Sequence, residues 1–531
     1  MRDAAGTLRE LRRLELSEIY DIAVVGSGFA GSLLAMIARR LGHSVILIEK
    51  GTHPRVVIGE SSTPLANLLL EEITTRYGLP ELRPMAKWGS WQRAHPEVAC
   101  GLKRGFTFHH HVLGASPSAN AERQDQLLVA ASPHDEIADT HWYRADFDHL
   151  LVREAQRLGV AYEDRVKLNS ITDGCDGMRL EGLRDGCDVE FRARFVVDAT
   201  GPRGFLHRAL GLRELELPGY PHTQGLYSHF SGVRRLDGTV YSRTDETPPY
   251  PIDDAAVHHI FDGGWIWVLQ FNNGVTSAGV AGTDEVAAQL GFKSGAGAWA
   301  QVLDLIPALK EQFGAAKALL PFVHMPRMAF RSSDVAGQNW ALLPSAAGFV
   351  DPLLSTGIPL TLLGVSRLAE TIERDWGTRR FREQLHSYAE HTDRELLATA
   401  RLVAALYANM NNFAVFAALT LLYFAAASFS ETARRLGKPH LAESFLLCDD
   451  PTFGPACERL MERSRHRLSK NESNKLIADI LEVIEPVNVA GLGLRERRNW
   501  YPVHADDLVS AAGKLGASRE DVFELLRRCG F

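Results

Sequence analysis

Asp21-Ile22-Ala23-Val24-Val25-Gly26-Ser27-Gly28-Phe29-Ala30-Gly31, followed downstream by Val45-Ile46-Leu47-Ile48-Glu49-Lys50, is the stretch that decides the fold. An apolar run enters a glycine turn, helix-forming residues follow, and a second apolar run ends on an acid. Strand, Gly-x-Gly-x-x-Gly, helix, strand and acid in this register are the βαβ fingerprint of a dinucleotide-binding fold. Gly26 permits the tight turn, Gly28 lets a pyrophosphate approach the backbone, and Gly31 lets the helix pack close to the strand. Phe29 and Ala30 open the helix, whose free N–H groups and partial positive charge face the phosphate. Glu49 is placed to accept hydrogen bonds from a ribose diol, with Lys50 beside it as a further cofactor contact.

Outward from this unit, composition sets the frame. The 531 residues exceed one compact core, so two or three subdomains are expected. A formal net charge of -7 argues against a general nucleic-acid binder. The six cysteines, Cys100, Cys175, Cys187, Cys448, Cys457 and Cys529, are dispersed without a C-x-x-C, as expected for reduced thiols in a cytoplasmic enzyme. Residues 1–18 carry Arg2, Arg9, Arg12 and Arg13 and no apolar signal-peptide core.

The nucleotide-binding fold continues in pieces. Residues 146–158 read as an amphipathic helix. Phe195-Val196-Val197-Asp198-Ala199-Thr200-Gly201 reads as a strand ending in a glycine turn, Trp340-Ala341-Leu342-Leu343 as another short strand, and a helix starts near Gly357. The predicted class is α/β: a Rossmann-like domain of glutathione-reductase type, made of 19–84, 141–204 and 331–375. It is interrupted by a β-rich substrate domain, 85–140 and 205–330, where Gly105 to Val112 and Trp265 to Phe271 alternate with strand period. Residues 376–531 form a helical C-terminal cap. Within it Phe413 to Ser428 is strongly apolar but shorter than the ~20 residues of a bilayer span, so a buried helix over the active site is expected, and no membrane association. Asp245 to Asp254 reads as a surface loop.

Four further segments resemble the flavin-dependent halogenase family, a branch of the para-hydroxybenzoate-hydroxylase-like flavoproteins. Gly59-Glu60-Ser61-Ser62-Thr63-Pro64 is similar to the family's G-E-[AS]-x-x-P loop. Gly264-Trp265-Ile266-Trp267-Val268-Leu269 is similar to its W-x-W-x-I-P signature, departing at Leu269-Gln270. Asp351-Pro352-Leu353-Leu354-Ser355-Thr356-Gly357-Ile358 is close to D-P-L-x-S-T-G-I. Asp198-Ala199-Thr200-Gly201 matches the D-A-[ST]-G turn of the wider class, and Arg144 an arginine that precedes a helix there. The resemblance covers about residues 20 to 375. Where hydroxylases carry G-D-A, this chain has Pro344-Ser345-Ala346, which tilts the reading from hydroxylase to halogenase.

The resemblance implies an enzyme that uses FADH2, O2 and chloride or bromide to make hypohalous acid, which halogenates an electron-rich aromatic of phenol, pyrrole or indole type. Gly59, Glu60, Ser61, Arg144, Asp198, Gly201, Asp351, Gly357 and Ile358 would join the fingerprint residues around FAD. The amides of Thr356 and Gly357, at a helix start, would hold the halide. Trp265 and Trp267, two apart on a strand and so on one face, would separate flavin from substrate. The family's lysine corresponds to Lys103, just before an alternating strand, with Lys87 as rival; an ammonium offers three donors and shifts its pKa readily when desolvated. An acid occupies the position of Leu354 in tryptophan halogenases, so free tryptophan is disfavoured as substrate.

His109-His110-His111 does not read as a metal site, because neighbouring strand residues face opposite ways and no Cys or carboxylate joins them at ligand spacing. His109 or His111 is a candidate base for a phenol. The absence of a second nucleotide fingerprint fits a separate NAD(P)H-dependent flavin reductase. The competing functions are a flavin monooxygenase and a reductase of the geranylgeranyl-reductase type. A homodimer is left open.

Overall fold

A computed structural model describes residues 19–115, 123–174, 177–237 and 246–531. Arg2, Arg9, Arg12, Arg13, Cys175 and Asp245 lie outside the described residues. The two apolar runs of the fingerprint are the strands Ile19–Val25 and Val45–Ile48, paired in parallel with Val25 opposite Ile48. Helix Phe29–Arg40 crosses between them and is buried from Phe29 to Ala38, which explains its apolar, small-residue sequence. Cys187–Asp198 pairs in parallel on the other side, Val25 opposite Asp198, and Trp340–Leu342 pairs beyond it, Asp198 opposite Leu342. The ends of these strands lie in one row. Gly26, Glu49, Ala199 and Leu343 therefore leave the sheet side by side, at the carboxyl edge where α/β folds collect ligands. Ala161–Glu163 extends one side, and the antiparallel strands Val166–Gly174 and Gly177–Arg184 complete a seven-stranded sheet.

A second, nine-stranded sheet stands over this edge. Its central strands are Thr223–Ser231, Val275–Thr283, Gly264–Gln270, Ala256–Phe261, Gly105–His110 and Gln126–Ala130, in that order. The period of two sorts its faces. Trp265, Trp267, Leu269, Phe106 and Phe108 join the main core. Ile266, Val268, Val257 and Phe261 join a second core with Trp299, Val302, Leu309 and Phe313, which come from helices Ala296–Leu305 and Pro307–Phe313.

The C-terminal segment is helical, as expected, apart from one short strand. Trp500–Tyr501 adds a strand beside Gln126–Ala130, Trp500 opposite Leu128. Two residues are too few to show a period, so the strand forms only because an edge is there to receive it. Helix Phe413–Arg435 is longer than the apolar run, 23 residues, and is long and apolar enough to cross a membrane, yet 83% of its most apolar window is buried within the protein. Its Phe424 and Phe416 rings meet Phe106 and Phe108 edge-on at 5.0 and 6.1 Å.

Candidate functional site

A cavity of about 340 Å³ runs from the glycine turn to the insert sheet. One end is lined by Gly28, Phe29, Ala30, Arg55 and Arg144, the middle by Gly59, Glu60, Ser61 and Gly201, and the far end by Trp265, Trp267, Gly357 and Ile358. Gly26 sits at φ +100°, and a Cβ there would stand 2.7 Å from the Ala199 carbonyl oxygen. Arg144 donates from Nε and Nη2 to Asp148 at 2.7 and 2.8 Å, and from Nη1 to the Gly59 carbonyl at 3.0 Å. Glu49 accepts from the Ser27 N–H at 3.0 Å, the Ser27 hydroxyl at 2.9 Å, the Gly51 N–H at 2.9 Å and Arg55 at 3.3 Å. Burial alone would raise its pKa, but Arg55 and these N–H groups hold it below the usual carboxylate range.

The cavity fits a flavin dinucleotide. Two guanidinium groups and a helix N-terminus converge at one end, and the buried Arg55 Nε has no acceptor within the protein. A Cβ added at Gly201 or Gly357 would meet nothing within 4 Å, so these glycines keep open space on the wall.

At the far end the loop before helix Gly357–Asp375 is pinned by Asp351. Its Oδ1 accepts from Trp265 Nε1 at 3.1 Å and the Leu353 N–H at 2.9 Å, its Oδ2 from the Tyr407 and Tyr220 hydroxyls at 2.9 and 3.2 Å. Burial pushes its pKa up to about 6. Leu354 and Ser355 take positive φ, 65° and 56°, and turn the chain into the helix. The N–H groups of Thr356 and Gly357, at the helix start, have no intrahelical acceptor.

Lys103 is fully buried between this cavity and a second one. Its Nζ donates to the Ser61 hydroxyl at 2.8 Å and the Ser62 carbonyl at 2.5 Å, and stands 3.8 Å from the Phe106 ring centroid. Ser61 lines the first cavity, whereas Phe106 and Asp139 line the second, about 160 Å³, walled by Tyr423 and Phe424 of the cap helix. Asp139 lies across the strand pair from Lys103. Burial pulls the lysine's pKa down, opposed by the charge of Asp139, and pushes that of Asp139 up. Lys87 lines the second cavity and not the first.

Several expected contacts stand behind the wall instead of in it. Lys50 is exposed and outside the cavity. Asp198 turns inward, accepting from the Thr200 N–H and hydroxyl at 2.8 and 2.6 Å and the Leu206 N–H at 2.6 Å, so it shapes the turn that presents Gly201. Glu49 and Asp351 act likewise on their own loops, and Gly26 and Gly31 shape the turn from beneath. Thr356 is buried, and Ser355 and Gly357 face the cavity. His109 and His111 are corrected as base candidates. They lie on the sheet face turned from both cavities, with His111 Nε2 2.9 Å from His259 Nδ1. Among the described residues no group of three or more His, Cys, Asp or Glu could hold a metal. Arg55, Thr200, His258 and Asp139 line the cavities without having been singled out from sequence.

Comparison with known proteins adds an independent finding. Residues 116–413 match the tryptophan halogenase family model, and residues 24–63 an NAD(P)-binding Rossmann-like domain. The chain is 32% identical over 391 residues to tetracycline 7-halogenase of Kitasatospora aureofaciens, covering 71% of this chain and 68% of that protein. It is 28% identical over 393 residues to monodechloroaminopyrrolnitrin halogenase PrnC of Pseudomonas fluorescens, covering 72% and 66%. Among solved structures, halogenase PltM in complex with phloroglucinol and FAD superposes with a TM-score of 0.78 at 24% identity, over 90% of this chain and 99% of that one.

Proposed function

The chain belongs to the tryptophan-halogenase family of flavin-dependent halogenases, and from that premise we propose that Lys103 delivers hypohalous acid from the flavin cavity to an aromatic substrate in the second cavity. The enzyme is an FADH2-dependent halogenase of aromatic substrates, and neither the hydroxylase nor the saturating reductase is favoured. Bound reduced FAD, with dioxygen and chloride or bromide, supplies hypohalous acid. Arg55, Arg144 and the amides after Gly28 would hold its pyrophosphate. The amides of Thr356 and Gly357 would hold the halide without a formal cation. Trp265 and Trp267 fill the wall that keeps substrate from the flavin end. Reduced flavin comes, in this reading, from a separate NAD(P)H-dependent reductase in the cytoplasm, since the chain carries a single βαβ fingerprint.

One observation carries the assignment: Lys103 alone of the two candidate lysines bonds the loop that lines the first cavity and also touches a ring that lines the second. Its ammonium can donate a hydrogen bond to the oxygen of hypohalous acid, polarising the O–X bond. The test uses purified protein with FAD, a flavin reductase, NADH, bromide and an activated phenol, read by mass spectrometry. Lys103→Met, which keeps the packing, should lose at least about a hundredfold in brominated product, the scale of a positioned proton donor, while flavin binding followed by absorbance persists. Lys103→Arg should fail too, because a planar fork cannot reproduce the bonds to Ser61 and Ser62. Loss in Lys87→Met with Lys103→Met active would transfer the role to Lys87.

A further inference from the structure

We propose that Asp139 binds a ring hydroxyl of the substrate and takes up its proton during halogenation, so that the enzyme acts on single-ring phenols; this rests on Lys103 delivering the oxidant. Asp139 is 6% exposed and lines the second cavity. Its Oδ1 accepts from Asn67 Nδ2 at 2.8 Å, but its buried Oδ2 has no hydrogen-bond partner. A carboxylate oxygen held so is costly unless a donor meets it. A phenolic O–H is such a donor.

The rest of the cavity agrees with that guest. Phe106, Tyr423 and Phe424 supply aromatic walls, and Pro64 and Val129 further apolar surface. The volume, about 160 Å³, is close to the ~150 Å³ that accepts a benzene-sized ring. Asp139 and Lys103 are partners in register across the strand pair, and the Lys103 ammonium stands against the Phe106 ring that walls the cavity, so the oxidant it holds would be delivered beside Asp139. Glu431 and Arg435 of the cap helix also line the cavity and act on Asp139 with opposite sign.

The reaction balances with these two residues. The ring carbon ortho or para to the hydroxyl attacks the halogen of hypohalous acid. The C–X bond forms and the O–X bond breaks. The departing hydroxide takes a proton from the Lys103 ammonium and leaves as water. The phenolic proton passes to Asp139 as the ring becomes a dienone. The ring C–H proton then returns to the Lys103 amine, Asp139 gives its proton back to the oxygen, and aromaticity is restored. The sum is phenol plus hypohalous acid to halophenol plus water.

The test compares resorcinol with 1,3-dimethoxybenzene, an activated ring without the donor. Wild-type enzyme with FAD, reductase, NADH and bromide should prefer resorcinol in kcat/KM by at least about tenfold beyond the preference of free hypobromous acid for the two compounds. In Asp139→Asn, which keeps the acceptor for Asn67 but offers an N–H₂ to the ring oxygen, that preference should fall about ten- to hundredfold, the worth of one hydrogen bond to a charged group. Asp139→Glu should recover part of it. A wild-type preference no greater than that of free hypobromous acid overturns the proposal without any variant. Equal loss on both compounds in Asp139→Asn overturns it as well, because Asp139 would then support the site without reading the hydroxyl. Bromination of neither compound by the wild type overturns the proposal, because single-ring phenols would then not be substrates, and leaves the family assignment as it stands.

Discussion

An alanine methyl at Gly31 would collide with the Gly26 carbonyl oxygen and stand 2.9 Å from the Ala199 Cβ. At Gly28, in the same motif, it would meet only the Arg144 and Arg55 guanidinium ends and an Asp148 oxygen, at 3.4 to 3.8 Å. Gly31→Ala should therefore cost about 1–3 kcal/mol of stability, the scale of overpacking, read in thermal unfolding of the flavin-free protein. Gly28→Ala should leave that transition within about 0.5 kcal/mol and weaken FAD affinity instead. If the two variants lose equal stability, the assignment of one glycine to packing and the other to ligand approach is wrong. Residues tied to a backbone demand of this kind were legible in the sequence. Arg55 and Asp139 were not, because what makes them matter is contact across the fold. Arg55 reaches Glu49, and Asp139 meets Asn67 and Lys103 only once three segments have come together.

In the proposed reading, the segment from Asp351 to Gly357 is the element that would hold the halide. Asp351 fixes it through bonds to Trp265, Tyr407, Tyr220 and Leu353, which come from the insert sheet, the cap and the flavin domain itself. Asp351→Asn places an amide N–H₂ where an oxygen received two donors. The loop should loosen, and the KM for bromide should rise about tenfold or more, at a cost of about 1.5–3 kcal/mol per charged hydrogen bond lost. Steady-state kinetics against bromide check this, and an unchanged KM would remove Asp351 from halide positioning. The motif was visible in the sequence, and so was the shared face of Trp265 and Trp267, since period two fixes it. The direction of the Asp351 side chain was not, because its partners Tyr220 and Tyr407 lie more than fifty residues away. The strand Trp500–Tyr501 was hidden for the same kind of reason: its only cause is the open edge at Gln126–Ala130.

At the scale of the whole molecule, the stacking of a sheet between two domains buries many histidines. Burial depresses His109, His111 and His258 to about 3 and holds His141 and His259 well below their ordinary value. A histidine depressed in the folded state contributes stability that is complete above about pH 6.5 and drains away as pH falls. Buried carboxyls work the other way. Asp253 is raised to about 7, Asp351 to about 6, and Asp139 is also raised, so their contribution is complete at low pH and lost as pH rises through those values. Each histidine held near 3 is protonated between about pH 6 and pH 4 in the unfolded chain and not in the native state, so each lowers stability by about 1.4 kcal/mol per pH unit as the medium is acidified, while the buried carboxyls, protonated in the native state, act against it. His111→Gln removes one such histidine, so in urea denaturation at pH 6.0, 5.0 and 4.5 its fall in stability on acidification should be smaller than that of the wild type by about 1.4 kcal/mol per pH unit. A variant with the wild-type profile would mean that the His111 ring takes up its proton without the fold opening.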